Sequence, residues 1–343
     1  MPIAMTHNYS EETEGARVCL EKSFDLIQRA LAATGDSSSR FTFCDYGAAD
    51  GGTAMSLYRL IAELQGKQGL KTAILNDLPG NDFGTLGRNG RQAFAPYGYL
   101  VYLAPFSFYE PVVAPHTVDF GFSATAMHWL SSPPPTLANH THGNACADAR
   151  ARAAFAEQAQ ADWRRLLTLR AQELRPGGEL VTVNLARNED DLYLGKNGRD
   201  HNMHDVLHDI WLELHRENLF DTEAYRAATF QNYYKGPDEF AAPLKEEGAD
   251  TSLRLVEMRT EITPCFYREA FNQHGDAKRF AEGLMRTVRS WSRHTFSTAL
   301  AGHDRAEAIV DELYARYQSR IEREPDRHSM DYVHNFLRVK KEA

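Results

Sequence analysis

The sequence predicts an α/β protein: a doubly wound, mostly parallel sheet with an antiparallel pair of strands at one edge and a helical cap. Three observations carry this. Between Phe41 and Asp77 the chain runs strand, glycine turn, helix, strand, with an acid closing each strand, which is the order of a right-handed βαβ unit. Residues 187–245 are polar, rich in His and Tyr, and helical without a strand, as expected of an insertion. Leu253–Ile262 and Tyr332–Val339 alternate like strands, and two late strands of this kind pair antiparallel at a sheet edge. A chain of 343 residues, 43% hydrophobic and 25% charged, can bury one sizeable core. The expectation is a single domain over 1–343, with 187–245 and about 265–300 capping a pocket.

The individual elements follow from period and punctuation. Leu20, Phe24, Ile27 and Leu31 recur at helical spacing to about Ala33. Phe41–Tyr46 is the first buried strand, Ala54 to about Leu64 the next helix, and Lys71–Asp77 the second strand. Phe83–Phe94 reads as helix, Tyr99–Leu103 as extended, and Thr117–Ala124 as strand. A long helix from about Asp148 to Leu174 ends at Arg175-Pro176-Gly177-Gly178, because proline cannot continue it. Glu179–Ala186 is β-branched and alternates; helices at about 277–300 and 304–323 precede the last strand.

Charge and cysteine usage exclude some classes. A net charge of −9, from 38 basic and 47 acidic residues, argues against a nucleic-acid partner, which needs a basic surface. Cys19, Cys44, Cys146 and Cys265 form no CxxC pair, and no secretory signal is present, which reads as a reducing, cytoplasmic setting. No apolar run is long enough to span a membrane.

The chemistry concentrates at strand ends. Asp45-Tyr46-Gly47 through Gly52 is a glycine turn opening a helix, and it lacks the GxGxxG spacing that packs a dinucleotide pyrophosphate. A carboxylate beside such a turn repels phosphate and suits a cationic adenosyl ligand. Asp77, followed by Leu78-Pro79-Gly80, can accept from two ribose hydroxyls, a role common to NAD and S-adenosylmethionine (SAM) proteins, or simply cap a loop. His128-Trp129 after a strand suits a pocket wall or a buried pair. His201, His204 and His208 share a helical face; without Cys or HExxH context they read as a solvated or substrate-facing stripe more readily than as a metal site, and no metal is expected.

Several motifs in register resemble the SABATH family of SAM-dependent carboxyl methyltransferases. LNDLPGNDF stands at Leu75–Phe83, SFY at Ser107–Tyr109, HWLS at His128–Ser131, and an RAxELxPGGxLV block at Arg170–Val181. Tyr233–Gly248 and Ile309–Tyr317 resemble later family segments. The resemblance implies a Rossmann-like class I SAM methyltransferase that esterifies a small-molecule carboxylic acid, commonly as a homodimer. It implies Tyr9, Thr13, Asp45 and Gly47 at the methionine end of SAM, Asp77 on the ribose, Leu78 beside the adenine, and Ser107 and Phe108 at its edge and face. It places His128 and Trp129 against the acceptor acid. An alternative is SAM-dependent methylation of nitrogen or another oxygen; from another class, an NAD-dependent oxidoreductase.

The departures fall on the substrate side. The family's N-terminal glutamine is Ala16 here, and the tyrosine of its SYSLHW segment is Thr125. An aromatic of the cap falls near His204, offering His204 as a different substrate clamp. No catalytic acid or base is expected, since a carboxylic acid with a reference pKa near 4 is already ionised at neutral pH.

Overall fold

The computed structural model describes residues 10, 14–34, 39–66, 68–196, 202–245 and 252–342. Strands β1 (Arg40–Tyr46), β2 (Leu70–Asp77), β3 (Tyr99–Pro105), β4 (Val118–Ala124), β5 (Leu174–Leu185), β6 (Leu253–Thr263) and β7 (Tyr332–Lys341) form one sheet. Its seven strands run β3-β2-β1-β4-β5-β7-β6. The first five pair in parallel, while β7 lies antiparallel between β5 and β6. The direction of winding reverses between β1 and β4, which opens a crevice at the carboxyl ends of these strands.

Helices α1 (Glu14–Glu21), α2 (Phe24–Ala33), α3 (Met55–Gln65) and α4 (Phe83–Phe94) lie toward one face of the sheet. Leu26, Ile27, Leu57, Ile61 and Phe94 there bury against Phe43, Leu75 and Phe120 of the strands. On the other face α5 (Ala149–Glu173) buries Trp163, Leu166 and Leu167 against Cys44, Ile74 and Leu180. Truncating a fully buried indole such as Trp163 to Ala costs about 3–5 kcal/mol.

Helices α6 (Met203–Arg216) and α7 (Thr222–Ala227) begin a second, helical core. The next helix, α8 (Pro237–Lys245), leaves it: Phe240 meets Trp163 edge-on at 5.4 Å and its carbonyl accepts the Trp163 indole N–H at 3.0 Å. Residues 237–245, expected in the cap, thus pack beneath the sheet. Helices α9 (Phe266–His274), α10 (Ala277–Ala299) and α11 (Ala306–Arg323) complete the helical core around Trp211, Phe296 and Tyr314.

Two local expectations change. The first helical stretch is broken into α1 and α2, because the Ser23 hydroxyl donates to Leu20 O at 2.6 Å and ends α1. A separate helix, α9, precedes α10. The Pro-Gly-Gly stop after α5 serves a second purpose: a Cβ at Gly178 would lie 2.9 Å from Arg175 O and 3.1 Å from Val118 O, so bare backbone is required where β5 joins β4.

Candidate active site

At the carboxyl edge of the sheet β1 and β2 end side by side, Asp45 level with Leu75 and Tyr46 with Asn76. The chain leaves β1 through Gly47, at φ +88°, and the N–H groups of Gly47 and Ala48 donate to Asn76 O at 3.0 and 2.9 Å. A Cβ on Gly47 would sit 2.5 Å from Ala126 Cβ and 3.6 Å from Phe108 Cε1. Glycine is therefore needed twice, for its left-handed backbone and for the approach of the segment after β4.

Asp77 closes β2 and clamps this turn. Its Oδ2 accepts the N–H of Ala49 and its Oδ1 that of Leu78, each at 2.7 Å. Burial raises its pKa, and these two N–H groups oppose the rise. Asn81 Nδ2 donates to Ala49 O at 2.6 Å, so Ala49, at φ +49°, is held from both sides. Asn76 Nδ2 donates to Ala104 O at 2.8 Å and Phe106 O at 2.7 Å, tying the loop that carries Ser107 and Phe108 to the end of β2. The Asp82 side chain accepts from Thr85 N and caps α4. The asparagines and acids of LNDLPGNDF thus spend themselves on holding three loops in place.

Asp45 is buried, and its Oδ2 accepts the Tyr58 hydroxyl at 2.6 Å. Burial pushes its carboxyl up to about 7; the Tyr58 bond opposes the shift and the neighbouring Asp77 adds to it. Asp50 fastens the N-terminal segment to the turn, its Oδ2 accepting from Ser10 N at 3.1 Å and Ser10 Oγ at 2.8 Å. Tyr9 and Thr13, on either side of Ser10, lie outside the described residues.

The segment after β4 turns through Thr125, at φ +52°, whose N–H donates to Val183 O at 2.7 Å and whose Oγ1 lies 3.2 Å from His334 Nε2. Residues 128–130 then lie along 231–233: Tyr233 N donates to His128 O at 3.0 Å and Leu130 N to Gln231 O at 2.9 Å. These strands of backbone wall a narrow cavity of about 30 Å³. Thr125, His128, Trp129, Asn232 and Tyr234 line it on one side, with Leu185, Leu194, Thr287, Trp291 and Tyr332 around the rest. The His128 ring lies 5.1 Å from Trp129 and 6.0 Å from Tyr234. Burial, with the charge of Lys235 adding, drives its pKa well below the usual imidazole value, so His128 is neutral.

His204 does not line this cavity. It is fully buried, stacked on His142 at 3.8 Å, with its Nε2 3.4 Å from the Tyr234 hydroxyl. The stripe expected to be solvated or substrate-facing is instead interior: His208 stacks on His140 at 4.5 Å, and His201 lies outside the described residues. Among the described residues no group of three His, Cys, Asp or Glu could hold a metal.

Thr125, His128 and Trp129 therefore share one wall, while Asp45, Gly47, Asp77, Leu78, Ser107 and Phe108 gather at the ends of β1, β2 and β3; Ala126 against Gly47 joins the halves. Sequence reading missed Asn232, Tyr234, Thr287, Trp291, Leu185, Leu194 and Tyr332. They arrive from five separate segments, and nothing in local spacing marks them.

These residues fit SAM. Asp45 is a buried carboxyl that a cation would drive to ionise, Asp77 keeps lone pairs free beyond its two backbone bonds, and the Gly47 turn brings bare backbone beside the Phe108 ring. The strand order and strand-end acids define a class I SAM-dependent methyltransferase. The chain belongs to the SAM-dependent carboxyl methyltransferase family, whose model matches residues 6–342. It is 25% identical to indole-3-acetate O-methyltransferase 1 of Arabidopsis thaliana, over 96% of this chain and 89% of that one. It is 25% identical to the salicylate carboxymethyltransferase of Clarkia breweri, over 85% and 83%. Among solved structures, a loganic acid methyltransferase with SAH superposes with a TM-score of 0.79 at 18% identity, covering 100% of this chain and 99% of that one. The protein is an enzyme that uses SAM to methylate a carboxylic acid. This decides against the dinucleotide reading.

Proposed function

We propose that the acceptor is a small acid with an apolar or aromatic body, bound in the cavity with its carboxylate against Trp129 and His128. The observation that carries this is the polar wall of Thr125, His128 and Trp129, facing leucines and aromatic rings and meeting the Gly47 turn through Ala126. SAM supplies an electrophilic methyl on a sulfonium; a carboxylate oxygen forms the new C–O bond as the S–C pair returns to sulfur. No base is required, because the acid is ionised at neutral pH, and a neutral His128 neither takes the proton nor forms an ion pair. Orientation and exclusion of water are the enzyme's contribution. No described group accepts the Trp129 indole N–H, which leaves it for the carboxylate.

On the other side, Asp45 and Gly47 hold the methionine end of SAM, Asp77 the ribose, and Leu78, Ser107 and Phe108 the adenine. Tyr9 and Thr13 close over the methionine part. His204 acts one layer back, by setting Tyr234. The chain serves as one catalytic domain, with most of 187–245 and 265–300 roofing the cavity. Four cysteines that are buried and free suit a cytoplasmic setting, and no described helix is long and apolar enough to cross a membrane. The family resemblance supports a homodimer, which light scattering tests.

The experiment is methyl transfer from labelled SAM to a panel including indole-3-acetate, salicylate and loganic acid. A base-labile ester from at least one acid is expected. A base-stable product moves the acceptor to nitrogen or another oxygen, and no product with any acid, despite normal SAH binding, defeats the reading.

A further inference from the structure

Behind the Trp129 wall runs a chain of neutral polar groups for which methyl transfer as described has no use. Asn144 brackets Tyr234, its Oδ1 accepting Tyr234 N–H at 2.9 Å and its Nδ2 donating to Tyr234 O at 3.1 Å. The Asn144 N–H in turn donates to His142 Nδ1 at 3.2 Å. Burial holds His142 neutral, its pKa pushed down to about 3. A neutral imidazole that accepts at one nitrogen carries its proton on the other. The His142 proton is therefore on Nε2.

That nitrogen is buried with no hydrogen-bond partner among the described residues, and so is Asn232 Oδ1. The two side chains lie close together, and donor and acceptor match. Pairing them turns the Asn232 oxygen toward His142 and leaves both Nδ2 hydrogens for other partners. One lies toward the Tyr234 hydroxyl. The second has no acceptor among the described residues. Asn232 is 1% exposed, lines the cavity, and stands across an antiparallel bridge from Trp129.

We infer that the free Nδ2 hydrogen of Asn232 is a second donor to the acceptor carboxylate, beside the Trp129 N–H, and that His142 fixes the amide in the orientation that presents it. This rests on the carboxylate reading above. A carboxylate offers about four lone-pair sites, and a single indole N–H leaves most of them bare in a cavity lined largely by apolar surface. The amide that the resemblance would bring from the N-terminal segment is Ala16 here. Helix α1 meets the wall through Gly15, where a Cβ would lie 2.7 Å from Tyr332 Cε2, so the missing side chain leaves room for that ring. Asn232 supplies an amide from the opposite segment. Its donors are neutral, so they hold the anion without the ion pair that would blunt the nucleophile.

The test uses whichever panel acid has the highest kcat/KM, with its primary carboxamide as competitor. Losing a hydrogen bond to a charged group weakens binding about tenfold or more. Asn232→Ala raises KM for the acid by that factor, with the Kd for SAH within twofold of wild type. Asn232→Asp, which presents oxygens in place of the donor, inverts the preference, so that the carboxamide binds better than the acid. A general packing defect would weaken both alike. His142→Phe, which removes the N–H holding the amide, gives a smaller rise in KM. An acid-over-carboxamide preference kept intact in a folded Asn232→Asp protein overturns the inference. Should that variant fail to fold, Asn232→Ala, which presents no donor, reads the same ratio, and an unchanged ratio there overturns it as well. A wild-type enzyme that binds SAH and esterifies no acid shows instead that the underlying carboxylate reading has failed.

Discussion

The two halves of the site are held by different kinds of structure. The cofactor half is built from consecutive strand ends of one sheet, and bonds to the backbone do most of the holding: Asp77 accepts from the N–H groups of Ala49 and Leu78, and Asn76 Nδ2 donates to the carbonyls of Ala104 and Phe106. The substrate half is built from side chains that converge from β4, β5, the 231–234 segment, α10 and β7. Backbone bonds fix position whatever side chains surround them. Converging side chains can be exchanged one at a time, and each exchange reshapes the cavity. The first arrangement suits a ligand that never changes, the second an acceptor that differs between relatives.

On that contrast, a change at Asp77 strikes both the turn and the cofactor. Asp77→Asn replaces a carboxylate that accepts two backbone N–H groups with an amide that can accept through one oxygen only. Hydrogen bonds to charged groups contribute about 1.5–3 kcal/mol each. The expected loss of SAH affinity is about a hundredfold to a thousandfold, measured by calorimetry. Equal losses of acid and SAH binding would show that the halves are not separable.

Trp129→Phe keeps the ring and removes the N–H. KM for the acid should rise about tenfold to a hundredfold, while SAH binding stays within twofold. An unchanged KM would move the carboxylate away from this wall and undo the assignment of the halves.

That contrast also explains what the sequence made legible. The βαβ order, the sheet and its antiparallel edge follow from hydrophobic period and glycine placement, which are local, so β1, β2 and α4 stand close to where period put them. Asp45, Gly47 and Asp77 sit at strand ends, which sequence can locate. Asn232 and Trp291 carry no local mark; only tertiary packing brings them to Trp129. Even for His204 the helical face predicts a place at the pocket. Its face is apolar enough to be interior, and His142, whose ring covers it, comes from a loop that period cannot place.

Asp45 gives the cofactor half a pH signature that the substrate half lacks. Its folded pKa, about 7, lies above the ordinary value of 3.8. Such a group stabilises the free fold fully below about 3.8 and loses that contribution as pH rises through 7. The cofactor cation binds the ionised form, so its affinity runs the opposite way. SAH and SAM affinity should climb about tenfold between pH 6 and 8 and then level off. Asp45→Asn should flatten that rise and raise the Tm of the free enzyme at pH 8. A neutral His128 adds no titration in this range, so KM for the acid should stay flat. A bell-shaped KM profile would show that the substrate half titrates after all.

The smallest effect is expected at His204. Its bond to the Tyr234 hydroxyl is long, 3.4 Å, and its stacking on His142 needs a flat ring more than a nitrogen. Phe keeps the ring and the stack. With only a weak bond lost behind the wall, His204→Phe should raise KM for the acid about twofold to threefold, with kcat and SAH affinity unchanged. A tenfold rise in KM would put the imidazole in contact with the acid, as its position on the helix suggested. It would also mean that the cavity opens by one layer when the acceptor enters, carrying Tyr234 aside. Equilibrium binding of the acid to Tyr234→Phe and to the double variant with His204→Phe separates the cases: for an effect transmitted through the Tyr234 hydroxyl the double is no worse than Tyr234→Phe alone, whereas a direct contact adds.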